Sequence, residues 1–276
     1  MMFPTDYSIG PAQLASEAES RGYHSLWFPE HTHIPVGRRT PWPGGGELPQ
    51  EYSHTLDPFV ALGVAAAVTE RLKLGTGICL VAQHDPIVLA KEVATLDHIS
   101  GGRFVFGIGV GWNEDEMEDH GVDPKRRRSV VREKVLAMKA LWTQDEASFD
   151  GEFVRFPPSW SWPKPVQKPH PLILMGGAGG PLTFHHVIEY CDGWMPISGR
   201  ADIVNRVGEL RGASEAAGRD PATIRLQVFG GRPDAEVLDH YQEAGAESVI
   251  LSLPPVSADK ALAVLDRYDP LIERYR

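Results

Sequence analysis

Glu30-His31-Thr32-His33 places a carboxylate and two imidazoles directly after a short apolar run, Ser25-Leu26-Trp27-Phe28. A carboxyl group beside an imidazole can move protons near neutral pH. Barrel enzymes keep their acids and bases at strand C-termini, so function is expected here over a merely solvated loop. His-x-His after a strand is also a metal-ligand pattern, but such sites need further ligands from later strands. The later strand ends read Met175-Gly176-Gly177 and Leu253-Pro254-Pro255. No metal is expected.

Three glycine-rich strand exits accompany this cluster. Gly75-Thr76-Gly77-Ile78 sets a hydroxyl between two glycines, which suits either a tight turn or a bulge beside a ligand. Gly107-Ile108-Gly109-Val110-Gly111-Trp112-Asn113 lacks the full G-x-G-x-x-G pattern, so it is weak evidence for phosphate. Asn113 can donate to and accept from an amide-like ring edge, or it can cap the acidic helix Glu114–Glu118. Met175-Gly176-Gly177-Ala178-Gly179-Gly180-Pro181 runs into a helix, and free amides there form an anion site. Lys125-Arg126-Arg127-Arg128 is expected to be a solvated helix start, electrostatically awkward at that end unless carboxylate partners or an anionic ligand tail offset it. His185 and His186 are expected at the surface or in packing. Cys79 has no basic sequence neighbour that would favour a thiolate.

The elements that must position these residues repeat as strand and helix. Helix Pro11–Arg21 and strand Ser25–Phe28 precede a long polar loop, Thr32 to His54. Helix Pro58–Thr69, strand Leu72–Thr76, helix Pro86–His98, strand Phe104–Ile108 and helix Arg126–Trp142 follow. Ala147–Phe156 reads as a hairpin around Asp150-Gly151, and Pro157–Pro171 is proline-rich, together an insertion before strand five. The rhythm resumes with strand Leu172–Met175, helix Pro181–Tyr190, strand Trp194–Ile197 and helix Ala201–Ala217. Strand Ile224–Phe229, helix Pro233–Ala244, strand Ser248–Leu251 and helix Ala258–Tyr268 complete it. With Met1–Pro4 as a remnant strand, the count predicts a (β/α)8 TIM barrel with a shortened first strand, in one domain over 1–276. A doubly wound sheet could also hold eight strands. Either the barrel is short at its first strand, or residues before Met1 are missing.

The 276 residues carry a net charge of −10 and are 42% hydrophobic. An acidic chain argues against nucleic-acid and membrane-surface partners. Two distant cysteines suggest a reducing compartment, and no apolar run approaches a membrane span or signal peptide, so a cytoplasmic location is expected.

As a set, Ser25–His31, Leu74–Ile78, Asp97-His98-Ile99-Ser100-Gly101-Gly102-Arg103-Phe104, Gly107–Asn113, Gly176–Gly180 and Asp192-Gly193-Trp194-Met195-Pro196 resemble the luciferase-like monooxygenase superfamily. Within it they resemble the oxidoreductases that use the deazaflavin coenzyme F420. The resemblance covers nearly the whole chain and implies a barrel, usually dimeric, that holds an isoalloxazine-like ring at the strand C-termini. It implies that Glu30 contacts the polar edge of the ring and that His31, or Glu30, transfers a proton. It places a bulged, often cis, peptide at Gly77-Ile78 behind the ring, with Thr76 bonding nearby. Gly111, Trp112 and Asn113 would line the ring, and Gly176, Gly177, Ala178, Gly179 and Gly180 would hold the phosphate. The implied reaction is hydride transfer between coenzyme F420 and a small organic substrate. The alternatives are a monooxygenase that uses flavin mononucleotide (FMN) and oxygen, and a non-catalytic flavin-binding barrel.

Overall fold

Short apolar strands, each followed by a helix that returns the chain to the same end, can pair only in parallel. The computed structural model describes residues 1–199 and 202–275. Its main sheet contains β1 (Ser25–Phe28), β2 (Lys73–Thr76), β3 (Phe104–Ile108), β6 (Leu172–Gly176), β7 (Gly193–Met195), β8 (Arg225–Gly231) and β9 (Ser248–Leu251). They run in that order, all parallel. The hairpin β4 (Ala147–Asp150) and β5 (Arg155–Ser159) stands apart, as the turn signal at Asp150-Gly151 predicts. Helices α1 (Pro11–Ser20), α3 (Pro58–Ala67), α4 (Pro86–Ile99), α6 (Arg127–Thr143), α7 (Pro181–Tyr190), α8 (Ile203–Ala216), α9 (Ala235–Glu243) and α10 (Ala258–Arg274) connect the strands. Two short helices, α2 (Glu51–His54) and α5 (Glu114–Asp119), lie in strand-exit loops. Ala201, the expected start of α8, lies outside the described residues.

The expected first strand is reduced to Met1 and Met2. Met2 N donates to Trp27 O at 3.2 Å, the Met1 amino group to Leu251 O at 2.7 Å, and Leu253 N to Met1 O at 2.8 Å. These bonds nearly close the barrel between β1 and β9. An apolar cavity of about 470 Å³ remains beside this seam, lined by Leu14, Leu26, Leu265 and Tyr268 among others.

Glycines inside the strands admit large neighbours into the barrel. A side chain at Gly75 would collide with the Trp27 indole, and one at Gly107 with Thr76 O and Met195. Such overpacking costs about 1–3 kcal/mol. Trp27, Val105, Leu174, Met195 and Ile250 fill the interior. The 97–104 motif proves to be scaffold. Asp97, fully buried, accepts from Gln167 N and Nε2, and Arg103 donates to carbonyls of Ala66, Thr69, Leu72 and Ser100. Most boundaries move by one or two residues, as at β8, which is Arg225–Gly231 rather than Ile224–Phe229, and β7, which is Gly193–Met195 rather than Trp194–Ile197; α10 shifts most, continuing past Tyr268 through Pro270 to Arg274. A mid-helix proline forfeits one backbone bond, which the long apolar face of α10 outweighs.

Candidate active site

β1 ends on Phe28, and Glu30 and His31, which follow Pro29, bond to different partners. His31 Nδ1 lies 2.7 Å from Glu116 Oε2, and the carboxylate is fully buried. Glu116 Oε1 accepts Thr32 N at 3.1 Å. The His31 ring packs against Tyr52 at 5.1 Å and Trp112 at 5.7 Å, centroid to centroid. Trp42 meets Tyr52 edge-on at 6.0 Å, so the long loop contributes two aromatic walls. That loop is tied down by Asp115, which accepts from Arg39 N and Nε and from Thr40 N and Oγ1 at 2.7–3.1 Å. Hydrogen bonds from Arg39 and Thr40 hold the Asp115 carboxyl well below the usual range.

Glu30 turns inward. Its Oε1 lies 2.7 Å from His84 Nε2, and Oε2 accepts Leu80 N at 2.5 Å. Burial alone would raise its carboxyl, but the bond and charge of His84 and the Leu80 amide outweigh it and hold the group below its ordinary value. Burial likewise lowers His84, and Glu30 reverses this, leaving the imidazole above its ordinary value. Burial raises the Cys79 thiol well above its usual range, so it is no thiolate. Oxygen, sulfur and nitrogen of Glu30, Cys79 and His84 lie within 4.8 Å of one another, but both Glu30 oxygens already serve hydrogen bonds. The group pins the segment after β2. There the Gly77–Ile78 peptide is cis, Gly77 N donates to Phe28 O, Cys79 N to Gly107 O, and the buried Thr76 hydroxyl to Gly107 O.

The remaining sequence-predicted residues divide by surroundings. Side chains at Gly109 or Gly176 would strike Ile78, so these glycines make room for a protein side chain. Gly111 adopts φ +75°, which only glycine takes readily. Gly177 and Gly180 face open space, and Ala178 is exposed. These residues lead into α7, whose first turn no side chain caps, so its amides can receive an anion. Asn113 is 1% exposed, and both its amide oxygen and nitrogen lack a partner among the described residues. It does not cap α5. A buried, unpartnered amide is costly unless a ligand meets it. Together with the open α7 amides, it fits a cofactor that has both a polar ring edge and an anionic tail.

Glu116, Tyr52 and His84 escaped the sequence reading. Glu116 sits in the run Glu114-Asp115-Glu116-Met117-Glu118-Asp119, where nothing local marks the inward carboxylate. The basic cluster found its carboxylates, Arg126 with Glu152 and Arg127 with Glu114. His186 is packed against Tyr190, and His185 is exposed beside Glu189.

Known proteins divide over the cofactor. A Mycobacterium tuberculosis protein described as uncharacterized is 47% identical over 272 residues, covering 97% of this chain and 95% of its own. The FMNH(2)-dependent dimethylsulfone monooxygenase of Pseudomonas putida is 40% identical over 117 residues, 41% of this chain and 31% of its own. An F420-dependent secondary alcohol dehydrogenase, solved with an F420–acetone adduct, superposes with a TM-score of 0.76 at 18% identity, over 96% of this chain and 94% of its own. The family profile for luciferase-like monooxygenases matches residues 11–275, and the chain belongs to that family.

Proposed function

We propose that the chain is a cytoplasmic, single-domain oxidoreductase that transfers a hydride between coenzyme F420 and a small organic substrate, with His31 moving the accompanying proton. The observation that carries this reading is the imidazole of His31, backed by a buried carboxylate and walled by aromatic rings at the strand C-termini. A substrate hydroxyl that becomes a carbonyl loses a hydride and a proton, and the site offers a proton acceptor for the second. Asn113 would meet the polar edge of the cofactor, and Gly177 to Gly180 its phosphate. When bound, the deazaflavin supplies a hydride-carrying carbon that reacts poorly with oxygen. Trp42, Tyr52 and Trp112 would hold the substrate and limit water at the reacting atoms. Glu30, with both oxygens engaged, serves the scaffold rather than the proton.

A homodimer is part of the same proposal. From Pro58 to Ala67, α3 has no charged or polar side chain, and Val60, Val64, Ile87 and Val88 lie exposed on α3 and α4. A helix apolar all round is one that something covers. A second copy of this chain suits that face.

The test is a parallel titration of the protein with coenzyme F420 and with FMN, read by tryptophan quenching. Tighter binding of the deazaflavin supports the proposal. Preference for FMN, with oxygen consumed by the reduced complex, would replace it with a monooxygenase, and binding of neither would remove the cofactor altogether.

A further inference from the structure

We propose that Glu116 is the positioning residue of this site: it holds His31 with the hydrogen on Nδ1, so that Nε2 is the nitrogen offered to substrate. This rests on His31 as the proton-transfer group and adds which nitrogen acts and what fixes it. The Glu116 side chain has no exposed surface, and among the described residues no lysine or arginine pairs with it. Its counterparts are two donors, Thr32 N–H at 3.1 Å and His31 Nδ1 at 2.7 Å. An ionised carboxylate can only accept, so the hydrogen between Glu116 and the imidazole belongs to Nδ1. A carboxylate buried without those donors would be strongly disfavoured.

The supporting shell is braced twice. Thr32 N ties the loop to Glu116, and Arg39 and Thr40 tie the same loop to Asp115, the preceding residue of α5. Tyr52 and Trp112 confine the ring from its other sides. Nε2 makes no hydrogen bond to another described residue. Rotating the ring to offer Nδ1 instead would break the bond to Glu116 and leave the buried carboxylate with the Thr32 N–H alone. Tautomer and orientation are therefore set by one contact, as expected of a preorganised proton-transfer group. Glu116 itself touches no reacting atom.

Nitrogen-15 spectra of the imidazole groups test this in the protein without cofactor. They are recorded at alkaline pH, where the rings are neutral, and H31N assigns the His31 signal. The wild type is expected to show His31 almost wholly as the Nδ1–H tautomer. E116Q, whose amide can donate as well as accept, is expected to shift the population by several-fold toward Nε2–H. E116D, which keeps an acceptor-only group, is expected to retain Nδ1–H. A wild-type spectrum dominated by Nε2–H overturns the proposal whether or not the variants fold. So does a folded E116Q with an unchanged tautomer. Neither result touches the cofactor titration above, so the functional reading stands or falls separately.

Discussion

Replacing His84 by leucine would leave the Glu30 carboxylate buried, with the Leu80 amide as its one remaining backbone donor. Breaking a buried ion pair by removing one partner costs about 3–5 kcal/mol. The Glu30 side chain is 1% exposed but that of His84 is 18% exposed, so the lower end, about 3 kcal/mol, applies. At about 2–4 °C per kcal/mol for a domain of this size, Tm should fall by roughly 6–12 °C near pH 6. The pH dependence separates charge from packing. His84 is raised above its ordinary 6.5, so its contribution is complete below pH 6.5 and fades as pH climbs through the raised value. Glu30 is lowered below 4.5, so its contribution is complete above pH 4.5 and fades as pH falls through the lowered value. The gap between wild type and H84L should therefore be widest between about pH 4.5 and 6.5. It should shrink toward pH 10, where the wild type also loses its imidazolium. Thermal melts of both proteins in steps from pH 5 to 10 measure it, and charge changes elsewhere cancel in the difference. A gap of equal size at pH 6 and pH 10 would refute the ionic argument. It would assign the loss to the edge contact between the His84 and Phe59 rings, 6.2 Å apart.

Two further outcomes follow from the unpartnered groups. Asn113→Ala removes a buried amide that has no protein partner, so Tm should hold or rise while the Kd for coenzyme F420 rises about tenfold, the worth of one well-made hydrogen bond; unchanged affinity in calorimetry would remove Asn113 from the cofactor site. Light scattering should find the protein at about twice its 30.4 kDa chain mass and Val64→Glu at the single mass, and a monomeric wild type would end the dimer proposal.

The barrel was legible because its strands are buried on both faces and read as continuous apolar runs, such as Phe104–Ile108, punctuated by helix-length segments. Its seam was legible only as a deficit, since two residues that bond to Trp27 and Leu251 leave no periodicity to read. Within the site, His31 and Trp112 announced themselves by standing just past strand ends. Their supports did not. Glu116 lies 85 positions from His31, and His84 lies 54 from Glu30, so only the folded chain pairs them. Glu30 stands next to His31 in sequence, yet the two side chains meet different partners, Leu80 N and His84 for one and Glu116 for the other.

The glycines carry the sharper lesson about what a missing Cβ means. Read in sequence, every glycine at a strand exit invites a ligand, because absence of a side chain looks the same whatever fills the space. Gly109 and Gly176 make room for Ile78, whereas Gly177 and Gly180 make room for nothing in the protein. The first pair therefore shapes a floor and the second leaves amides to be used. The β3 exit brings these contacts within five residues: Trp112 packs against the His31 ring, Asn113 presents an unpaired amide, and Glu116 bonds the imidazole. On the proposed function, any shift of that turn would disturb substrate contact, cofactor contact and proton position together. That is a physical reason for its rigid anchoring, with Asp115 accepting four hydrogen-bond donors from the loop opposite.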